Sequence, residues 1–105
     1  MTTVQQRFPV PPQVLWNALP AGVAAIGGQQ PVYDGPRAFA TCRTGMSLLS
    51  WGQHVNVTVS HADGGSALTI MTVLKLGVWD WGEGKRIANR FAAAVAYAAG
   101  TAALN

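Results

Sequence analysis

The run WGQHVNVTVSH at 51–61 sets apolar Val55, Val57 and Val59 on odd positions, and polar His54, Asn56, Thr58 and Ser60 on even ones. A period of two belongs to a strand with one buried face. ADGGS follows at 62–66, and its Asp-Gly and Gly-Gly pairs supply the positive φ that tight primed hairpin turns demand. Register then decides which residues of the next strand are buried. With Asp63-Gly64 as the loop, Val59 faces Leu68, Val57 faces Ile70 and Val55 faces Thr72; a Gly64-Gly65 loop shifts the partners and keeps the parity. A three-residue loop would set the valines beside Ala67, Thr69 and Met71, and burial argues against it. The expected sheet core is therefore Val55, Val57, Val59, Leu68, Ile70 and Leu74.

The other elements follow from similar patterns. TVQQRF at 3–8 reads as a short edge strand, ended by PVPP at 9–12 because proline has no ladder donor. Pro11 or Pro12 suits the first turn of a helix. Leu15, Leu19, Val23 and Ile26 then recur at spacings of four and three, a helical stripe that Gly27 and Gly28 end and that Pro20 should kink. QQPVYDGP at 29–36 reads as a turn-rich connector. RAFATCRTG at 37–45 alternates Phe39, Thr41 and Arg43 against Ala38, Ala40 and Cys42, with the buried side open. RIANRFAAAVAYAAG at 86–100 offers Ile87, Phe91, Val95 and Ala98 as a last helical stripe, stopped by Gly100. The order is β-α-β-β-β-α: an α+β fold, an antiparallel sheet of about four strands with two helices packed on one face, expected as a single domain over residues 1–105.

Composition narrows the function classes. The 105 residues are 50% hydrophobic, enough for one modest core, and only 10% charged, where about a quarter is usual. So neutral a surface has little to keep copies apart, and a homo-oligomer, a dimer first, is expected. A bound small apolar ligand would answer the same composition. The formal charge of +3 is spread thinly along the chain, which argues against nucleic acid as a partner. The lone Cys42 allows no internal disulfide and no zinc spacing, and reads as a small buried hydrophobe. There is no signal-peptide pattern, and Phe91 to Leu104 falls short of the ~20 residues of a transmembrane segment. A cytoplasmic location is the default expectation.

GVWDWGEGKR at 77–86 is the stretch richest in candidate chemistry. A phosphate-binding loop fails on spacing: Gly84-Lys85 would need a glycine at Trp79, and Arg86 stands where a metal-binding hydroxyl belongs. Asp80 as helix cap, with Glu83 three residues on as its reciprocal partner, fits better. Gly82 and Gly84 stay unexplained by that, since each costs about 1 kcal/mol in a helix; close approach of a backbone or a ligand, or an irregular loop, would account for them. The hairpin register brings Trp51 to the same sheet end as Trp79 and Trp81, either as a hydrophobic plug or as a lip over a pocket. Gly52 hints at a bulge that re-aims Trp51.

Among the remaining polar groups, Arg86 and Arg90 stand one helical turn apart. They form a solvated face or an anion clamp. His54 and His61, seven residues apart, face opposite ways and cannot share a metal. No catalytic constellation, metal site or cofactor site stands out.

ALTIMTVLKLGVWDWGEGKRIANRF resembles the closing segment of a family of small bacterial domains of unknown function: strand, loop, Asp, an aromatic or apolar residue, Gly, a polar or basic pair, then a helix. Asp80, Trp81, Gly82, Lys85, Arg86 and Ile87 carry the match. SWGQHVNVTV is similar to that family's middle. The resemblance implies an α+β fold without an assigned activity. The element order also looks like a shortened helix-grip fold, a sheet wrapped about a C-terminal helix over an apolar cavity. The leading expectation is a non-enzymatic domain acting by self-association or partner binding, its polar sheet face partly covered by a second subunit. The alternatives are an apolar or lipid-like ligand between sheet and last helix beneath Trp51, Trp79 and Trp81, and an enzyme of unknown chemistry using Asp80 with Arg86.

Overall fold

The computed structural model describes residues 1–45, 52–74 and 82–104. Its strands and helices are β1 (Thr2–Phe8), α1 (Pro12–Ala25), β2 (Gln29–Asp34), β3 (Phe39–Arg43), β4 (Gln53–Ala62), β5 (Gly65–Leu74) and α2 (Glu83–Ala98). The strands form one antiparallel sheet in the order β1-β5-β4-β3-β2, with both helices packed on one face, an α+β fold. Five strands stand where about four were expected, and the added one is β2, within the stretch that reads as a connector. It is an edge strand whose residues are exposed or half-buried, so no apolar alternation marks it. Its ladder with β3 is irregular between Gln29 and Val32, which is where Pro31 is tolerated on an edge.

The hairpin register agrees with the two-residue loop. Val59 pairs with Leu68, Val57 with Ile70 and Val55 with Thr72. All six of these side chains are buried, whereas the side chain of Leu74 lies outside the described residues. Only one loop residue has positive φ: Gly64, at 78°. A primed turn would need positive φ at Asp63 as well or instead, so the glycine position alone takes the left-handed backbone. In β3 the buried side is Ala40 and Cys42. Small residues face inward there because the end of α1 lies close above, and a Cβ on Gly28 would stand 3.1 Å from the Cys42 sulfur.

Both helix stripes are rotated from the expected ones, and for one reason. In α1 the buried residues are Leu15, Ala18, Leu19 and Gly22, with Val23 and Ile26 half-buried. In α2 they are Gly84, Ala88, Phe91, Ala92 and Val95, with Ile87 half-buried and Ala98 exposed. The helices pack on each other as well as on the sheet, and small residues serve that contact: a Cβ on Gly22 would lie 2.7 Å from the Phe91 ring. A stripe of large apolar residues cannot reveal a face made of alanine and glycine. Helix α1 runs through Pro20.

Both helices end in the same way. Gly27 has φ of 64°, its N–H donates to the Ala24 carbonyl, and the Gly28 N–H donates to that of Val23 at 2.8 Å. Gly100 has φ of 69°, its N–H donates to Tyr97, and the Thr101 N–H donates to Ala96. These paired bonds satisfy carbonyls that a helix end otherwise leaves open. No helix among the described residues is long and apolar enough to cross a membrane.

Candidate functional site

The sheet–helix interface, where the sequence reading places an apolar ligand, is filled. Phe8, Leu15, Leu19, Val55, Leu68, Ile70, Phe91 and Val95 are all fully buried in one cluster. Each such side chain stabilises the fold by about 1.5–3 kcal/mol through burial. Open space is found instead at one end of the sheet, among other places, where β3 ends, β4 begins and α2 starts.

A cavity of about 340 Å³ opens there. Ile26 beyond α1, Thr44 and Gly45 beyond β3, and Glu83, Arg86, Ile87 and Arg90 of α2 line it. The volume falls within the range of about 300–1,000 Å³ usual for small-molecule sites. Arg86 and Arg90 share one face of α2, four residues apart, and both are exposed. With Glu83 as the acidic member, the described lining carries two guanidinium groups against one carboxylate. The N-terminus of α2 adds to the positive side of that balance.

Backbone geometry shapes the rim. Gly52 has φ of 99°, and a Cβ on it would stand 2.4 Å from the Thr44 carbonyl oxygen. Only glycine allows that approach. Thr44 and Gln53 close on each other: the Thr44 N–H donates to the Gln53 carbonyl at 2.9 Å, and the Gln53 N–H donates to Thr44 Oγ1 at 2.9 Å. The Gln53 side chain then crosses to the helix, where its Nε2 donates to Glu83 Oε1 at 3.4 Å.

Among the described residues, two buried oxygens near this end have no hydrogen-bond partner: Gln53 Oε1 and Thr72 Oγ1. Gln53 is 1% exposed and Thr72 0%. An unsatisfied buried polar group costs about 1–3 kcal/mol, so each of these oxygens lowers stability unless it finds a partner.

Helix α2 begins at Glu83, with Gly82 at the N-cap position in left-handed conformation, φ 77°, and no side-chain cap. Glu83 is thus the first helical residue, not the third, and its carboxylate meets Gln53. The positive φ accounts for Gly82 without an approaching ligand. Gly84 is buried in the first helical turn. Asp80, Trp51, Trp79 and Trp81 lie outside the described residues. The structure brings Arg86 and Arg90 to the cavity. Sequence reasoning missed Gln53, Thr72, Thr44 and Ile26, although Gln53 and Thr72 carried a signal: each is a polar residue on the apolar parity of its strand.

Cys42 is buried, and burial pushes its thiol up to about 11. A thiol so held is a packing group and not a nucleophile at neutral pH. No group of three metal-ligating side chains occurs among the described residues.

The chain shares its fold with Ara h 8.0201. The crystal structure of that protein superposes with a TM-score of 0.50 over 92% of this chain and 95% of the other, at 15% identity. At that identity the likeness is one of fold alone. No family model matches the chain, and no curated protein matches it.

Proposed function

We propose that this protein binds a small amphipathic anion in the cavity at the start of α2. The acid group of the ligand sits on Arg86 and Arg90, and its apolar body lies against Ile26 and Ile87. The observation that carries this reading is the pairing of a cavity of ligand size with two arginines on one helical face. Paired guanidinium groups suit a carboxylate, sulfonate or phosphate because their donors match its oxygens.

The test uses 8-anilinonaphthalene-1-sulfonate, an apolar body with one sulfonate, followed by its fluorescence. The wild type binds it saturably at one site. Octanoate displaces it about tenfold better than octanol does, the order of one charge-assisted hydrogen bond. The Arg86→Gln/Arg90→Gln variant keeps its melting temperature and loses that difference. Equal competition by octanol and octanoate in the wild type would remove the arginine clamp from the account.

Self-association is a second reading. Its support is the outer sheet face, where His54, Asn56, Met71 and Val73 are half-buried and Thr58 is exposed, while both helices occupy the other face. The occupant is a second copy, in line with a chain only 10% charged. Light scattering that shows only monomer at millimolar concentration would sink it.

A further inference from the structure

The sheet face turned away from the helices carries another cavity, of about 340 Å³, toward the β2 edge. Gln30 and Val32 of β2, Thr41 and Arg43 of β3, and His54 and Asn56 of β4 line it. On β3 and β4 these residues alternate with Cys42, Val55 and Val57, which are buried beneath the helices, so their side chains project from the opposite face. The ladder sets Arg43 opposite His54, and Thr41 opposite Asn56. Strand β2 gives way beside them. Gln29 pairs with Arg43 and Val32 with Thr41, so Gln30 and Pro31 together stand opposite Cys42, a β-bulge. Gln30 holds a φ of 51° there, in the left-handed region that favours glycine. Bulges and strained residues of this kind gather at functional sites.

We infer that this cavity binds a phosphoryl group, as inorganic phosphate or as a phosphate monoester. Charge selects an anion: Arg43 contributes a guanidinium, and no acidic side chain is among the described residues that line the cavity. Asp34, the acid of β2, is held by Arg37 at 3.6 Å. The His54 imidazole offers an N–H in either protonation state, and Asn56, Gln30 and Thr41 add amide and hydroxyl donors. Donors thus come from three strands around one space. A phosphoryl group presents three strong acceptor oxygens and close to two negative charges, where a carboxylate presents two oxygens and one charge, so it draws more from such a set. The cavity at α2 is built otherwise: Glu83 stands in its wall, and Ile26 and Ile87 give it an apolar side. The phosphoryl site is separate from that one and does not rest on it.

Amide spectra recorded during titration with inorganic phosphate at constant ionic strength test this. Because His54 and Asn56 also belong to the face that self-association would cover, the protein is held at concentrations where light scattering reports monomer. Saturable shifts are expected at Thr41–Arg43 and His54–Asn56, with acetate binding about tenfold more weakly. Arg43→Gln, a change at an exposed side chain, weakens phosphate binding about tenfold at an unchanged melting temperature. Arg7→Gln removes the same charge three strands away and changes affinity by less than about twofold, because salt screens it there. Arg86→Gln/Arg90→Gln leaves the shifts in place. Phenyl phosphate tells the two sources apart: tighter binding than phosphate assigns a monoester with its organic group on Val32, and equal or weaker binding assigns the free ion. Acetate equal to phosphate, shifts confined to the start of α2, or an Arg43→Gln protein that binds as the wild type does would each overturn the assignment, as would a titration that does not saturate.

Discussion

The two ends of the sheet are built on opposite terms. At the β4–β5 hairpin end, Ser66 is fully buried and its hydroxyl donates to the Val10 carbonyl at 2.8 Å. Gly65 sits so close to β1 that a Cβ would lie 2.0 Å from the Phe8 carbonyl oxygen. The tail reaches the same end, where the Leu104 N–H donates to the Arg7 carbonyl at 2.7 Å. Backbones approach closely there and this buried hydroxyl has its partner. At the other end, Thr72 is equally buried, its hydroxyl and a Gln53 oxygen are unpartnered among the described residues, and a cavity stands beside α2. One end is tied by close backbone contact and a satisfied hydroxyl; the other leaves two buried oxygens unpaired among the described residues.

The largest contrast comes from crowding the hairpin end. Gly65→Ala forces a methyl group into the β1 backbone and should cost about 3 kcal/mol, read as a fall in the urea midpoint. A side chain of any size meets the same backbone, so Gly65→Ser should be no milder. If Gly65→Ala melts with the wild type, the tight end is not tight.

A matched pair of substitutions then sets one buried hydroxyl against the other. Ser66→Ala leaves the Val10 carbonyl without its donor and should cost about 1–2 kcal/mol. Thr72→Val removes a hydroxyl that has nothing to bond and should change stability by less than about 0.5 kcal/mol, or raise it. Differential scanning calorimetry on the two proteins reads both effects. Equal losses would mean that Thr72 is satisfied in solution, and the two ends would no longer differ in this respect.

Alkaline pH tests the packed face beneath α1. The Cys42 thiol ionises near 9.0 in an unfolded chain, and burial raises it to about 11 in the folded one. The unfolded state therefore releases its proton first as pH rises. The contribution is fully present below pH 9 and is lost progressively as pH climbs toward about 11. Tyr33 shifts the same way, through burial first and the neighbouring Cys42 second. The urea midpoint should fall between pH 9 and pH 11, and less steeply in Cys42→Ala. A fall of equal steepness in both proteins would assign the effect elsewhere.

The smallest expected effect on stability belongs to the cavity arginines. Both are exposed, and replacing them with glutamine should move the melting temperature by no more than a degree or two. Their effect belongs to binding.

How much of this was legible in the sequence follows from what each residue does. The valines of β4 and the apolar residues of β5 announce their face by alternation, and the Asp63-Gly64 loop fixes their partners, so the central ladder could be read residue by residue. Strand β2 could not, because an edge strand without a buried face has no period to show. The helix–helix contact was hidden for another reason: Gly22, Ala18 and Ala88 are buried for their smallness, and a search for large apolar residues passes over them. The spacing of Arg86 and Arg90 allowed a solvated face or an anion clamp, and the structure places both on the cavity wall. Their partners across the cavity were not legible, since Thr44 and Ile26 reach it through tertiary packing. Gln53 and Thr72 stood as exceptions to their strands' apolar parity, and such exceptions are where function is best sought.

Two-dimensional amide spectra during titration with phenylacetate bear most directly on the difference between the ends. The account predicts saturable shifts at Thr44, Gly45, Gln53, Glu83 and the Arg86–Arg90 turn, with Ser66, Ala67 and Leu68 unmoved. Shifts centred on the hairpin end, or none that saturate, would contradict it.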